Sequence, residues 1–379
     1  MHKMSKVKVL FVTNLYPSDT EPDRGVYIRN QAEALNKVGY KVCILLMDYR
    51  SIKHRRKWGI YWRKQENIWV CHFSVPMSPW TTLKYVFARV LTEYGIKCVE
   101  KRFGKPDIIH GHFVEGSYGL IGIKRKCSIP IVFTEHGSNL LKKNRSKSEN
   151  ERMRRLYTTV DEMIVVGHQQ YICAEEFEIK SLSVIPNVIP AYFKYIPKKD
   201  NENKDLSFIA VGNLIESKCF GLLIDAIGNI HSENIKLTIV GKGPLERELK
   251  KKVLKKDLSN YISFTGAIQN AELVRLYNSA DCFVLPSRFE TFGVVYAEAL
   301  CTGTPIISTK NGGIDDIYED GCGFLIEIDN EEELREAMKK FASVKFDHQA
   351  LADKYQNKFG EKNFICKIEE VYERALKGV

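Results

Sequence analysis

The sequence predicts an α/β protein of two domains, each built on a parallel sheet covered by helices on both faces. Three observations carry that prediction. Short apolar runs of strand length alternate with stretches of helical spacing, the pattern that crossover connections impose on a parallel sheet. The alternation begins at Val7, continues to about residue 190, and starts afresh near Leu206. With 379 residues the chain is also long for one domain of roughly 100–200 residues.

In the first half an apolar run over residues 7–12 ends at Thr13-Asn14, and a loop over residues 17–25 leads into helical spacing over 27–38. Gly39 closes that helix, because glycine tolerates the left-handed conformation in which many helices end. Strands follow at 41–47, 68–73, 108–110, 131–134 and 163–166. The second half opens with a strand at 206–211 ending in Gly212-Asn213, then a helix at 221–230. A strand at 235–240 runs into Gly241-Lys242-Gly243-Pro244, and further strands lie near 261–264, 282–285, 305–308 and 323–326. Pro186, Pro190 and Pro197 crowd the junction between the halves. The last helix, 362–376, carries an apolar stripe at Phe364, Ile368, Val371 and Leu376 that needs a surface to cover it. The reading is of two Rossmann-like domains, 1–190 and 191–360, with a C-terminal helix, 361–379, packing back on the first.

Hydrophobic residues make up 44% and charged residues 27%, which is globular composition. No apolar run approaches the roughly 20 residues that span a bilayer, and the N-terminus has no signal-peptide pattern; a cytoplasmic protein is expected. The ten cysteines form no C-x-x-C pair, which argues against a zinc site and for reduced thiols. Residues 1–190 hold 31 Lys and Arg against 18 Asp and Glu, whereas the rest hold 26 against 29. A basic half suits an anionic partner: phosphate ligands, a membrane surface or nucleic acid. Between residues 50 and 80 lie Arg50, Lys53, His54, Arg55, Arg56, Lys57, Arg63 and Lys64 with all four tryptophans, Trp58, Trp62, Trp69 and Trp80. Cations among indoles suit an anionic membrane interface. Single-stranded nucleic acid uses the same ingredients, but no DNA or RNA module appears, so peripheral membrane contact is expected and nucleic acid is not.

In an open α/β sheet ligands bind beyond the carboxyl ends of the strands, so the informative residues follow each apolar run. After Leu285 the chain reads Pro286-Ser287-Arg288-Phe289-Glu290-Thr291-Phe292-Gly293-Val294-Val295-Tyr296-Ala297-Glu298. A glycine between strand and helix lets free backbone N–H groups approach a phosphate. Glu290 precedes that helix and Glu298 stands about two turns inside it. A loop carboxylate suits sugar hydroxyls; one farther along suits a ribose diol. Gly303-Thr304-Pro305 and Thr309-Lys310-Asn311-Gly312-Gly313 follow, the second a glycine-rich turn after another strand. Lys218, after the first strand of the second half, reads as an exposed lysine that adds little to stability but stands where such sheets bind ligands. His110 and His112 flank Gly111 at a strand end. Two histidines suggest metal ligands, yet no third is evident, and no metal is expected.

Taken in order, these residues resemble the donor site of retaining family 4 glycosyltransferases of GT-B fold. The resemblance includes Val211-Gly212-Asn213-Leu214 with Lys218, Gly241-Lys242-Gly243-Pro244, Ile185-Pro186-Asn187 and Thr134-Glu135-His136-Gly137, and it covers essentially the whole chain. The opening from Tyr16-Pro17 to Gly25, followed by Gln31-Ala32-Glu33-Ala34-Leu35, resembles the subset that builds bacterial capsular and exopolysaccharides. The family implies two domains facing across a cleft, the first binding acceptor and the second a nucleotide-sugar donor, with the C-terminal helix crossing back.

Carried over by position, the resemblance implies that Lys218 neutralises the donor pyrophosphate and that the N–H groups of Phe292, Gly293 and Val294 hold the distal phosphate. Glu298 accepts the ribose hydroxyls, Glu290 positions the hexose, and Gly266 and Ile268 flank the base. His136 and Gly25 close the cleft against sugar and acceptor. Asn213 stands where the family commonly has arginine and offers only a neutral hydrogen bond, with Lys242 a possible second cation. Cys219 and Val188 replace usual glycines.

The implied reaction is transfer of a hexosyl unit from a UDP- or GDP-sugar to a hydroxyl of a lipid-linked or other saccharide acceptor. It retains anomeric configuration, needs no cofactor or metal, and occurs at the inner face of the membrane. Two other classes remain open: a sugar-nucleotide epimerase of the same fold and a non-catalytic partner subunit.

Overall fold

The computed structural model describes residues 7–18, 21–22, 24–51, 53, 56–77, 81–198, 205–230 and 234–378, with the side chains of 81–84 excepted. His54, Arg55 and Trp80 of the basic, tryptophan-bearing stretch lie outside the described residues. The chain divides into two compact units, Met1–Val188 with Lys362–Val379, and Ile189–Glu361.

The first unit runs β1 (Lys8–Thr13), α1 (Val26–Lys37), β2 (Lys41–Asp48), β3 (Gly59–Gln65), β4 (Ile68–Ser74), α2 (Thr81–Phe103) and β5 (Ile108–His112). It continues through α3 (Val114–Ser117), α4 (Leu120–Lys124), β6 (Ile131–Glu135), α5 (Lys147–Tyr157), β7 (Glu162–Val165), α6 (His168–Ala174) and β8 (Leu182–Val184). The sheet order is β3-β4-β2-β1-β5-β6-β7-β8, parallel except where β3 runs antiparallel to β4 at the edge. Alternate strand residues feed cores on the two faces: Leu10, Val12, Cys43 and Leu45 on the α2 side, Val9, Phe11, Val42 and Ile44 on the other. Burial of both faces is why these strands read as continuous apolar runs.

The second unit runs β9 (Leu206–Val211), α7 (Phe220–Ile230), β10 (Ile235–Val240), α8 (Glu246–Lys255), β11 (Ile262–Gly266), α9 (Asn270–Ser279) and β12 (Cys282–Leu285). Then come α10 (Val294–Cys301), β13 (Ile306–Thr309), β14 (Gly323–Ile326), α11 (Glu331–Phe341) and α12 (His348–Phe359). Its sheet, β11-β10-β9-β12-β13-β14, is wholly parallel. In both sheets the chain winds outward from a central strand and then returns to that strand's other side. This leaves a topological switch point between β1 and β5, and another between β9 and β12. The last helix, α13 (Glu361–Lys377), buries Phe364, Ile368, Val371, Tyr372 and Ala375 in the first unit's core beside Phe11 and Ile44.

Two features depart from the sequence reading. The stretch over residues 50–80 holds a strand that the sequence reading does not place, β3, which pairs with β4. Its three described arginines are engaged, Arg50 with Asp48 at 2.8 Å and Glu21 at 2.6 Å, Arg56 with Asp48 at 2.9 Å, and Arg63 with the Pro17 carbonyl, while Lys53, Lys57 and Lys64 are exposed. The second feature is α2, whose outer face leaves Val86, Val90 and Tyr94 more than half exposed, with Phe87 beside them. Among the described residues no helix is long and apolar enough to cross a membrane.

Candidate functional site

Two loops meet at the switch point of the second unit. After β9 the chain passes through Gly212, Asn213 and Leu214 into a 3₁₀ turn, Glu216–Lys218, then a left-handed residue, Cys219 at φ 52°, before α7. That left-handed conformation is the physical reason for a glycine preference at this position, and Cys219 adopts it without one. After β12, the Arg288 N–H and the Ser287 hydroxyl both donate to the Ser217 carbonyl, at 2.8 and 3.2 Å. This clasp sets the Lys218 ammonium in an ion pair with the Glu290 carboxylate, the two side chains only 17% and 10% exposed. The sequence picture of an exposed Lys218 is therefore corrected: the lysine is largely buried and already partnered.

The glycine pair after β13 backs the same carboxylate. The Glu290 N–H donates to the Asn311 carbonyl at 3.2 Å, and a Cβ on Gly313 would lie 2.7 Å from that of Glu290. Asn311, buried, fixes the turn by donating to the Tyr296 hydroxyl at 3.1 Å and accepting from the Ile314 N–H at 3.2 Å. Asn311 and Tyr296 were not singled out from sequence. The signal for Asn311 was its place directly before Gly312-Gly313.

Gly293 caps α10 at φ 79°, where a side chain would also meet the Tyr296 ring at 2.7 Å. The first N–H groups of a helix lack intrahelical acceptors, so the amino end of α10 can receive an anion. Phe292 is buried with its ring edge-on to Phe359 at 5.5 Å, so its side chain serves packing and only its backbone is available. Val294, the first helical residue, is half-buried. Because α10 starts at Val294, Glu298 is its fifth residue, little more than one turn in rather than two. It is buried and accepts from the Tyr277 hydroxyl at 3.2 Å; burial pushes its carboxyl up to about 8. Without a ligand this group is an acid at neutral pH.

Glycines also clasp the loops after β9, β10 and β11. Gly266, at φ 73°, accepts from the Gly241 N–H at 2.9 Å, and a Cβ on Gly241 would fall 1.9 Å from the Gly212 oxygen. Ile268 is half-buried beyond β11, while Asn213 and Lys242 are exposed. Arg288, passed over in the sequence, pairs with Asp329 at 2.8 Å.

In the first unit the carboxyl ends of β5 and β6 bring together His110, His112 and His136. The His136 Nδ1 faces the Asn187 Oδ1 at 3.1 Å and must donate to it, so its Nε2 accepts from the His112 Nδ1, also at 3.1 Å. The chain ends at the His112 Nε2, a buried nitrogen with no partner. His110 is spent on Tyr372 and Thr134, at 2.8 and 2.7 Å. Burial holds His110 and His136 neutral, with values near about 3, and depresses His112 as well. No group of three or more His, Cys, Asp or Glu among the described residues is placed to hold a metal. Beside them Glu135, pushed up to about 8 by burial, accepts from the Gly137 N–H at 2.8 Å and the Tyr157 hydroxyl at 2.9 Å. Gly25 caps α1 at φ 73°, packed so that a Cβ would lie 2.8 Å from the Leu15 carbonyl. The Tyr27 ring lies 4.8 Å from that of His136.

A switch-point lysine and carboxylate beside an open helix terminus, on a doubly wound sheet, are groups whose chemistry suits phosphates and hydroxyls. Residues 25–191 match the family described as Glycosyltransferase Family 4, and residues 193–363 match Glycosyl transferases group 1. The chain belongs to the GT-B glycosyltransferases built from these two domains. It is 26% identical over 361 residues to a glycosyltransferase assigned to teichuronic acid biosynthesis in Bacillus subtilis (strain 168), covering 88% of this chain and 89% of that one. An alpha-monoglucosyldiacylglycerol synthase of Acholeplasma laidlawii is 28% identical over 265 residues, 60% of this chain and 65% of its own. Among solved structures, that of Anabaena HepE in complex with UDP superposes with a TM-score of 0.74 at 15% identity, covering 97% of this chain and all of that one.

Proposed function

We propose that the protein is a retaining hexosyltransferase that moves a sugar from a UDP- or GDP-sugar to a hydroxyl of a lipid-linked oligosaccharide, in bacterial surface polysaccharide synthesis. The observation that carries this reading is the Lys218–Glu290 pair at the switch point beside the amino end of α10. A donor diphosphate would compete with Glu290 for the lysine. Lys218 and the α10 N–H groups would then stabilise the charge that develops on the departing diphosphate. Glu290, released, would accept hydroxyls of the hexose, and Glu298 would accept those of the ribose. The lysine and helix terminus together supply the charge stabilisation for which other transferases use a metal. UDP as donor base is supported by the HepE likeness, and a surface-polymer or glycolipid acceptor by the Bacillus and Acholeplasma relatives.

A lipid-linked acceptor requires approach to a cytoplasmic membrane face. Besides the basic 50–80 stretch, α2 offers a suited surface. Val86, Val90 and Tyr94 repeat every fourth residue on one face, flanked by Arg89 and Lys97 on a basic unit. The test is incubation with a panel of UDP- and GDP-sugars, with and without lipid-linked acceptor, reading the product anomer by NMR. Acceptor-dependent transfer with retained configuration supports the reading. Isomerised donor without transfer would point to an epimerase, and no turnover of any donor to a non-catalytic subunit.

A further inference from the structure

The carboxyl ends of the first unit's strands carry the histidine cluster. At the opposite, amino edge of that sheet lies a separate cavity of about 370 Å³, lined by Lys8, Lys41, Trp62, Trp69, Arg102 and Phe103. We propose that this cavity is a binding site for a phosphate group, carried by an anionic lipid headgroup or by a free phosphate compound. It is distinct from the Lys218–Glu290 site and from the histidine cluster, and the inference does not rest on the transferase reading.

The first argument is register. Lys8 and Lys41 open β1 and β2 and are direct partners across the parallel pair. Leu10 and Cys43, two residues further along each strand, both enter the core on the α2 side. Strand residues two apart share a face, so the two ammonium groups stand on the same side of the sheet. Like charges directly opposite are destabilising; the Asp107 carboxylate accepts from the Lys8 backbone N–H at 2.7 Å, but among the described residues no carboxylate lines the cavity itself. Among the described residues, neither lysine nor Arg102 has a side-chain ion-pair partner. Lys8 does lie by the carboxyl end of α2, where a Cβ on Gly104 would approach its ammonium at 2.6 Å. A helix end carries only about half an elementary charge. It cannot balance three cations.

The second argument is the posture of Arg102. Its guanidinium carbon lies 4.2 Å from the Trp69 ring and 5.0 Å from the Trp62 ring, and the two indoles meet edge to face at 6.4 Å. Two aromatic faces fix the plane of the fork while leaving the N–H donors along its edge for an acceptor. A planar fork flanked by two point charges matches a phosphate, whose several anionic oxygens can take the fork and both ammonium groups together. A lone carboxylate would be saturated by the fork.

All four tryptophans of the chain fall between residues 58 and 80, and two of them line the cavity, so intrinsic fluorescence reports on it while the second unit is silent. The full chain is titrated with inorganic phosphate, with pyrophosphate, and with phosphatidylcholine vesicles with or without phosphatidylglycerol. A saturable fluorescence change is expected with the soluble anions if a free phosphate compound is the ligand, or only with phosphatidylglycerol vesicles if it is a headgroup. In either case Arg102→Gln and Lys41→Gln should each weaken it about tenfold or more, the loss expected of one charge-assisted hydrogen bond. Lys41 touches neither indole in the cation–π contacts, so its variant tests charge without disturbing the aromatic packing. No saturable change with any probe overturns the proposal. So does unchanged affinity in both variants when thermal unfolding shows them folded.

Discussion

Replacing Lys218 with alanine should cost stability as well as turnover. The side chain is 17% exposed and its partner Glu290 only 10%, so removing the lysine leaves a carboxylate largely out of water without its counter-ion. Breaking a buried pair from one side costs about 3–5 kcal/mol; the residual exposure and screening bring the expectation to about 2–4 kcal/mol. In a domain of this size each kcal/mol shifts the midpoint by about 2–4 °C, so a fall of roughly 5–15 °C is expected. Glu290→Ala strands the ammonium in the same way, and the double variant removes both charges. It should be more stable than the sum of the singles predicts, with a coupling of about 2 kcal/mol. Calorimetry on the wild type and the three variants measures the cycle, and turnover measured alongside should fall about 10²–10³-fold for Lys218→Ala. A coupling below about 0.5 kcal/mol, within the additivity of independent sites, would refute the reasoning. Lys218 and Glu290 would then be neighbours without an energetic bond.

Four further outcomes follow from the structure. Burial raises the Glu298 carboxyl to about 8, so between about pH 4.5 and 8 the folded state holds a proton that the unfolded chain releases, and stability falls as pH rises through that window. Glu298→Gln should reduce this fall in pH-dependent urea unfolding, Glu135 supplying the remainder; Glu298→Ala should raise the nucleotide Kd about tenfold to hundredfold. The buried neutral histidines act with the opposite sign: stability is lost as pH drops from about 6.5 towards about 3, against the gain from Glu298 and Glu135, and a pH profile of unfolding over that range unchanged in His110→Gln would contradict it. Gly241→Ala, whose Cβ would fall 1.9 Å from the Gly212 oxygen, should cost about 3 kcal/mol, whereas Gly212→Ala, with only the Phe220 ring at 3.7 Å, should be nearly neutral in the same assay.

The fold was legible where one strand spans one apolar run. The strands at 206–211, 235–240, 282–285 and 323–326 lie where the sequence places them, and the final helix extends the expected one by a single residue at each end. The misses share a cause. β3 is an edge strand whose residues 59–65 mix tryptophan, arginine and lysine, because only one neighbour, β4, dictates its pattern. Its charges therefore read as a cluster for an anionic membrane, although Arg63 turns inward to a backbone carbonyl. The outer face of α2 escaped for a related reason. A helix that keeps Val86, Val90 and Tyr94 exposed has no clean polar face, so its periodicity cancels.

The site divides along the same line, between what position dictates and what side chains choose. Position after a strand follows from topology, so Lys218, Glu290, Gly293 and the Gly312-Gly313 turn could be named without coordinates. Pairing could not. That Lys218 meets Glu290 depends on the Ser217 carbonyl catching both Ser287 and Arg288, a contact between loops 70 residues apart. Burial was hidden as well: Glu298 reads as a carboxylate for ribose, yet its surroundings supply one tyrosine hydroxyl and no cation, so it waits protonated. Both findings bear on ligand entry in the same direction. A diphosphate arriving at the switch point must displace Glu290 from its lysine, and a ribose must meet an acid that can donate as well as accept. Nucleotide affinity should therefore change with pH near the Glu298 value. In Glu298→Gln that dependence should vanish, while the effect of Lys218→Ala on affinity stays the same at every pH.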